Sequence, residues 1–269
     1  MGDSKTVLRS EPRPGVVMLT ISRPEKLNAL NAEVVESLHD HVRDIRRDRD
    51  CRALVFTGDG RGFCAGLDLT GYDDRDADDL GPTHQIWRIQ RHLATLIQEV
   101  RRLPQPVVAR VNGPAAGGGF ALVCASDVRI AATPAVFCTS FIRLGVTACD
   151  LGTSWLLPRL VGAGRAHELL MTARKFDSAE ALRIGLLADV VEPDALDARV
   201  DQALDAFLAA PPLSMSLTKQ GMWMALEIPS FDTAVEMENR QQAMTFNTED
   251  AVEARATYRN GGTPTYRNR

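Results

Sequence analysis

Long apolar runs are missing from this chain. No stretch approaches the ~20 residues that a membrane-crossing helix needs, and the first residues hold no apolar block of the kind a secretory signal requires. The expectation is a cytoplasmic protein without a membrane partner. The opening "MGDSKT" fits the loose myristoylation pattern, but a single acyl chain without a basic cluster or second anchor holds a membrane only marginally. Basic charge is not in excess either: 31 Lys and Arg stand against 35 Asp and Glu, a net charge of −4. That balance offers no nucleic-acid surface, and an anionic ligand must be caught by a few placed groups. The five cysteines, Cys51, Cys64, Cys124, Cys138 and Cys149, include no C-x-x-C pair. Their odd number and mostly apolar surroundings point to reduced, mostly buried thiols.

Several chemical signatures are absent as well. There is no H-E-x-x-H, no G-x-S-x-G, no Walker-type loop and no G-x-G-x-x-G. His39 and His41 are two apart on a helical pattern and so face different directions. In "YDDRDADDLG" (72–81) the alternating Asp74, Asp76 and Asp78 suggest a calcium loop. Asp79 and Gln85 stand where the EF-hand pattern requires Gly and Glu. The stretch reads as an acidic loop, and no metal site is expected.

What is present is an alternation of strand and helix patterns. "GVVMLTIS" (15–22) is strand-like, and Asn31 can cap a helix over 31–47 whose apolar spacing is near 3.6. A buried strand over 52–58, a helix over 84–103 ended by Pro104 and Pro106, and strands over 106–111 and 127–132 follow. Short connections between such elements argue an α/β fold. From about Leu196 the periodicity is purely helical. The expected division is a core over 1–199 and a helical region over 200–269, without a flexible joint.

Two turns place glycine where a strand gives way to a helix: "FCAGLDL" (63–69) and "NGPAAGGGFALVCASD" (112–127). Glycine inside a helix costs about 1 kcal/mol per residue, so the triplet Gly117, Gly118, Gly119 needs a reason. Either the helix packs very close to a strand, or the two turns present N–H groups that together cradle an oxyanion. The residues alone leave both readings open.

The segments "ISRPEKLNALN", "GRGFCAGLDL" and "VNGPAAGGGFALVCASDVRIAA", followed by "DSAEALRIGLLADVVEPDAL", resemble the crotonase (enoyl-CoA hydratase/isomerase) superfamily in order and spacing, over nearly the whole chain. The resemblance implies a spiral of ββα turns with a C-terminal helical oligomerisation region, and a homotrimer or dimer of trimers. It implies an acyl-CoA substrate and no cofactor beyond that coenzyme A moiety. It places the oxyanion hole at the amides of Ala65 and Gly118, each donor worth about 3–4 kcal/mol to a developing enolate. It also implies coenzyme A contacts at Lys26 and Ala29, and a pocket lined by Leu67, Trp87, Ala121 and Phe141.

The family's hydratases use two glutamates to activate and deliver water. Here those positions hold Ala121 and, twenty residues on, Phe141. General acid–base help is worth about 10²–10⁴ in rate, so losing both argues against hydration. Asp150, in "GVTACDLGTSW", is the candidate acid/base. It reads either as a proton-moving carboxylate with a pKa raised by apolar surroundings or as the N-cap of a helix starting near Gly152 or Thr153. Its D-x-x-T-S pattern is similar to that of the family's chlorobenzoyl-CoA dehalogenases, but the helical histidine they use falls at Ala94, with His92 two positions away. Asp68 is expected to cap or orient a helix turn, and Asp127 to satisfy local backbone groups. The expected activity is an enolate-stabilising conversion, isomerisation or another non-hydratase reaction. The alternatives are a weak hydratase that does without the glutamates and a non-catalytic acyl-CoA binder.

Overall fold

The computed structural model describes residues 6–70, 72 and 81–269. All of the myristoylation pattern but Thr6 lies outside these residues, as does most of the acidic stretch 72–81 with its calcium reading. Strands β1 (Val7–Arg13) and β2 (Val16–Ile21) form an antiparallel pair, and helix α1 (Ala32–Arg47) leads to β3 (Ala53–Gly58). Then come α2 (Pro82–Arg101), β4 (Val107–Val111), β5 (Ala115–Ala116), α3 (Gly118–Ala125), β6 (Val128–Ala132) and β7 (Val136–Cys138). Helices α4 (Thr153–Val161) and α5 (Ala163–Thr172), β8 (Phe176–Asp177), α6 (Ser178–Arg183) and β9 (Asp189–Val191) complete the mixed part. Four helices close the chain: α7 (Leu196–Leu208), α8 (Pro212–Ala225), α9 (Phe231–Phe246) and α10 (Glu249–Asn260).

The strands form a sheet in the order β1-β2-β3-β4-β6-β9, parallel from β2 onward, and a small sheet in the order β5-β7-β8. The chain steps repeatedly from the large sheet to the small one and then into a helix. β3 is followed by Cys64, which bridges Ala115, and then α2; β4 leads to β5 and α3; β6 leads to β7 and, further on, α4. The fold is the expected α/β arrangement of ββα turns.

Strand β3 is buried along its whole length, and its alternation explains why. Leu54 and Phe56 point into the main core with α1, α2 and α3, while Ala53 and Val55 point to the opposite face. There they meet Leu196, Val200 and Leu204 of α7. A parallel sheet covered on both faces needs such continuously apolar strands. The change of periodicity near residue 200 falls inside α7, a helix that belongs to the sheet.

One buried ion pair ties the C-terminal helices to this core. Lys219 of α8 is 3% exposed, and its Nζ lies 2.8 Å from Asp127 Oδ2 and 2.9 Å from the Gln105 carbonyl. Burial pushes the Lys219 ammonium below its ordinary pKa, against the pull of Asp127. Asp127 also accepts from the Val107 amide and from Trp223 Nε1. The expectation of a local backbone role is corrected: the backbone group it satisfies belongs to β4, twenty residues away, and its other partners lie on α8.

Candidate active site at the two glycine turns

The turn after β3 is held by the segment before α1. Asn28 is fully buried with φ +59°, and its Nδ2 donates to the carbonyls of Asp59 and Gly62 at 2.9 and 2.7 Å. Arg23 donates to the Ala29 carbonyl at 2.7 Å and to Asp68 Oδ2 at 2.9 Å. Asp68 also accepts from the Thr70 hydroxyl and amide, and these bonds, with that of Arg23, hold its carboxyl well below the usual range. The expectation of a helix cap at Asp68 is thereby corrected: it fixes the turn over 68–70 and the segment carrying Arg23. Ala29 is buried and serves through its carbonyl, whereas Lys26 is exposed with its Nζ 3.5 Å from Thr70 Oγ1.

Each glycine of the triplet has a separate steric reason. Gly117 has φ +51°, a conformation other residues rarely adopt. A Cβ on Gly118 would come 2.9 Å from Leu30 Cδ1. A Cβ on Gly119 would come 2.2 Å from the Cys64 carbonyl oxygen, which no side chain can do. Gly66, at φ +91°, would place one 3.2 Å from the Gly118 nitrogen. Both readings of the triplet therefore have support: close backbone packing is what brings the two turns together.

The amide at Ala65 requires a correction. It donates to the Leu27 carbonyl at 3.0 Å and is not available to a ligand. Leu67 has the opposite situation. Leu67 is the bridge partner of Leu30: the Leu30 amide donates to Gly66 and the Asp68 amide donates to Leu30. Neighbouring residues of an extended segment point their N–H groups to opposite sides. The Leu67 N–H is thus turned away from Leu30, and Gly66 beside it packs on Gly118. Gly118 is the first residue of α3, where helical N–H groups lack intrahelical acceptors. Among the described residues, neither the Leu67 nor the Gly118 amide has a backbone acceptor.

Apolar side chains stand beside Gly117 and Gly118. Ala121 is fully buried; Phe141 is 6% exposed, with Cε1 3.8 Å from the Cβ position of Gly117. Leu67 is partly exposed, and Trp87 lies on the first turns of α2 with most of its ring open.

Asp150 sits just before α4. Its backbone carbonyl accepts from both the amide and the hydroxyl of Thr153 at 2.8 Å, but its side chain makes no cap: the N-cap of α4 is Gly152. The cap reading of the Asp150 carboxylate is therefore overturned. The side chain turns instead to Gln90 of α2, whose Nε2 donates to Oδ1. Burial pushes the Asp150 carboxyl above its ordinary pKa, against the hydrogen bonds from Gln90 and the Leu151 amide. Leu151 has φ +47°, strained for a branched side chain, and its Cδ1 lies 3.4 Å from the Cβ position of Gly118. That contact joins the Asp150 turn to the cradle.

Gln90 escaped the sequence reading. The available signal was its place one helical turn before Ala94, on the same face of α2. His92 points elsewhere, to Glu36 and to a stack on His39. A separate concavity of about 320 Å³, lined in part by Arg46, Arg52 and Gln105, shares no residue with the cradle. No group of His, Cys, Asp and Glu among the described residues has the arrangement to hold a metal.

Comparison with known proteins gives a consistent result. The family model described as enoyl-CoA hydratase/isomerase matches residues 11–269. A Mycobacterium bovis protein named probable enoyl-CoA hydratase echA12 is 37% identical over 266 residues, 94% of this chain and 90% of that protein. An Escherichia coli protein named 1,2-epoxyphenylacetyl-CoA isomerase is 35% identical over 87% of this chain and 88% of its own length. Among solved structures, a probable enoyl-CoA hydratase/isomerase from Mycobacterium abscessus superimposes with a TM-score of 0.90 at 33% identity, covering 98% of this chain and 99% of that one.

The free amides give a direct expectation. In ¹⁵N-labelled protein titrated with a non-hydrolysable acyl-CoA, the Leu67 and Gly118 amide protons shift downfield, and the Ala65 amide, already bonded to Leu27, moves little. A large shift at Ala65 with none at Leu67 would show that the donors are misassigned.

Proposed function

Given that the chain belongs to the enoyl-CoA hydratase/isomerase family, we propose that it is an isomerase-type enzyme of acyl-CoA thioesters, moving a proton along the acyl chain without adding water. The observation that carries this reading is that two amides without a backbone acceptor meet at the touching turns, with Leu151, the neighbour of the half-buried Asp150, packed toward Gly118. The thioester oxygen sits between the N–H groups of Leu67 and Gly118. Asp150, as carboxylate, takes a proton from the carbon chain next to the thioester. The electron pair left behind moves onto the carbonyl oxygen as an enolate, and the two fixed donors stabilise that charge by about 3–4 kcal/mol each. Asp150 then returns the proton at another carbon, so the double bond moves and the mass is unchanged.

The raised pKa of Asp150 suits this work, since a base gains strength as its pKa approaches the working pH. Ala121 and Phe141 support the exclusion of hydration, because neither can activate or deliver water. Lys26 lies exposed beside Thr70, where it suits a phosphate of the coenzyme; Ala29 is buried, its carbonyl accepting from Arg23 and its amide donating to Lys26, so it supports that segment from within. No cofactor beyond the coenzyme A portion of the substrate is required by these steps. Exposed Met222, Phe231, Phe246 and Tyr258 on α8 to α10 support a homo-oligomer, a trimer or a dimer of trimers. No described helix is long and apolar enough to cross a membrane.

The relatives named hydratases favour a second reading, slow water addition without the glutamates, and one experiment separates the two. Crotonyl-CoA, trans-3-hexenoyl-CoA, a dienoyl-CoA and an aromatic acyl-CoA are incubated with enzyme in D₂O and followed by mass spectrometry. The expected products carry exchanged deuterium or a moved double bond and no added water; rapid hydration of crotonyl-CoA would refute the isomerase reading. Binding without any exchange would leave an acyl-CoA binder. Asp150→Asn is expected to lower the exchange rate by about 10²–10⁴ with acyl-CoA affinity retained.

Stability gives an independent check on Asp150. A carboxyl with its folded pKa raised favours the protonated form, so its cost to the fold is absent below the unfolded value of about 4. It grows as pH rises toward the folded value and is complete above it. Asp150→Asn should therefore melt at a higher temperature than the parent at pH 7–8, with the gain shrinking toward pH 4. A variant less stable than the parent at pH 8 would contradict the burial argument.

A further inference from the structure

We propose that Gln90 is the positioning residue of Asp150, an amide partner that holds the carboxyl toward the cradle in both of its protonation states. The inference rests on the reading of Asp150 as the proton-moving group and adds what that reading leaves unexplained: how a side chain on a turn is kept in place while its charge changes.

The geometry isolates the pair. The Asp150 main chain is pinned by Thr153, and its side chain does not cap α4. Gln90 supplies its side-chain hydrogen bond, from Nε2 to Oδ1. Gln90 itself stands on a firm base, because α2 buries Leu93, Leu96, Ile97 and Val100 in the core. On the other side, Leu151 packs toward Gly118. The carboxyl is thus bonded to a helix anchored in the core, and the next residue, Leu151, packs toward the start of α3.

The choice of an amide is chemically pointed. A lysine or arginine in this place would hold Asp150 as the carboxylate and weaken it as a base. A glutamate would hold it protonated. A glutamine side chain carries a donor and an acceptor in one planar group. Its Nε2 donates to the carboxylate before proton transfer. After Asp150 has taken the substrate proton, a half-turn of the amide lets Oε1 accept from the new O–H. One hydrogen bond is kept in each state, and the only bonds that change are the C–H broken and the O–H formed.

Charge from elsewhere does not do this work. Among the described residues, the influences on Asp150 are burial, Gln90 and the Leu151 amide, with no charged group among them. On α2, His92 is engaged with Glu36 and His39. On α4, Arg159 lies over the Trp155 ring at 3.8 Å. Cys149, next in the chain, is exposed.

The test compares the parent with Gln90→Leu, Gln90→Glu and Asp150→Asn. Gln90 is only half-buried, so all three should fold. Two readouts are taken: the ¹³C titration of the aspartate carboxyls, in which the Asp150 signal is the one missing from Asp150→Asn, and the pH profile of substrate proton exchange. Gln90→Leu removes a donor that favours the carboxylate, so the Asp150 midpoint and the acid limb of the profile should move up together, by about half a unit or more. Its kcat should fall about 10- to 100-fold with KM nearly unchanged, since the base is misplaced while the cradle is intact. Gln90→Glu should move the midpoint further in the same direction. If Asp150→Asn loses exchange but Gln90→Leu leaves midpoint and acid limb where the parent has them, the Gln90 proposal alone is overturned. If Asp150→Asn exchanges like the parent, the assignment of Asp150 falls and the positioning role falls with it.

Discussion

Two stretches of backbone must touch for this site to exist. The segment from Cys64 to Leu67 lies against the start of α3 so closely that a Cβ on Gly119 would come 2.2 Å from the Cys64 carbonyl and one on Gly66 2.8 Å from the Ala116 carbonyl. A similar crossing occurs where Gly113 meets the Arg61 carbonyl, at 2.1 Å for the same construction. Glycine is required at these positions by space before any chemistry is considered. The crossing has a chemical consequence: two N–H groups on different elements come to one place, held by backbone. Side chains rotate, but donors fixed in this way need no reorganisation when charge develops.

Holding the crossing together takes buried polar groups that form no part of the reaction. Asn28 joins the turn after β3 to the segment before α1, and Arg23 with Asp68 closes the other end. Lys219 and Asp127 fasten α8 to the far end of α3 and the start of β4. A buried pair contributes little net stability when complete, yet loss of one partner costs about 3–5 kcal/mol. Such pairs fix the relative placement of elements more than they strengthen the fold. Trp155 of α4 and Trp223 of α8, with Arg101 of α2 lying over both rings, extend that placement to the helix that follows Asp150.

Legibility in the sequence followed the range of the forces involved. Helix α1 and its Asn31 cap, and strands β3, β4 and β6, were readable because local periodicity and capping decide them. Strands β5 and β8 are two residues long and exist only through partners distant in sequence, so no local pattern announces them. The same limit explains the amide at Ala65. The motif "FCAGLDL" shows that an N–H is offered, but which of its amides is free is set by the bridge between Leu30 and Leu67, far apart in the chain. For Asp150, the sequence left a cap and a base in competition, and the αL conformation of Gly152 removed the cap. Gln90 had no motif of its own and became visible only when α2 was laid beside the Asp150 turn.

Fixed backbone donors are expected to polarise the thioester carbonyl of a bound substrate. The infrared stretch of a ¹³C-labelled thioester carbonyl, recorded for an acyl-CoA free and bound, measures this at the bond concerned. Hydrogen bonds from Leu67 and Gly118 should move the bound carbonyl to lower wavenumber, and the shift should persist in Asp150→Asn, which leaves the donors in place. A bound carbonyl that absorbs where the free one does would mean that the crossing of the two turns serves packing alone.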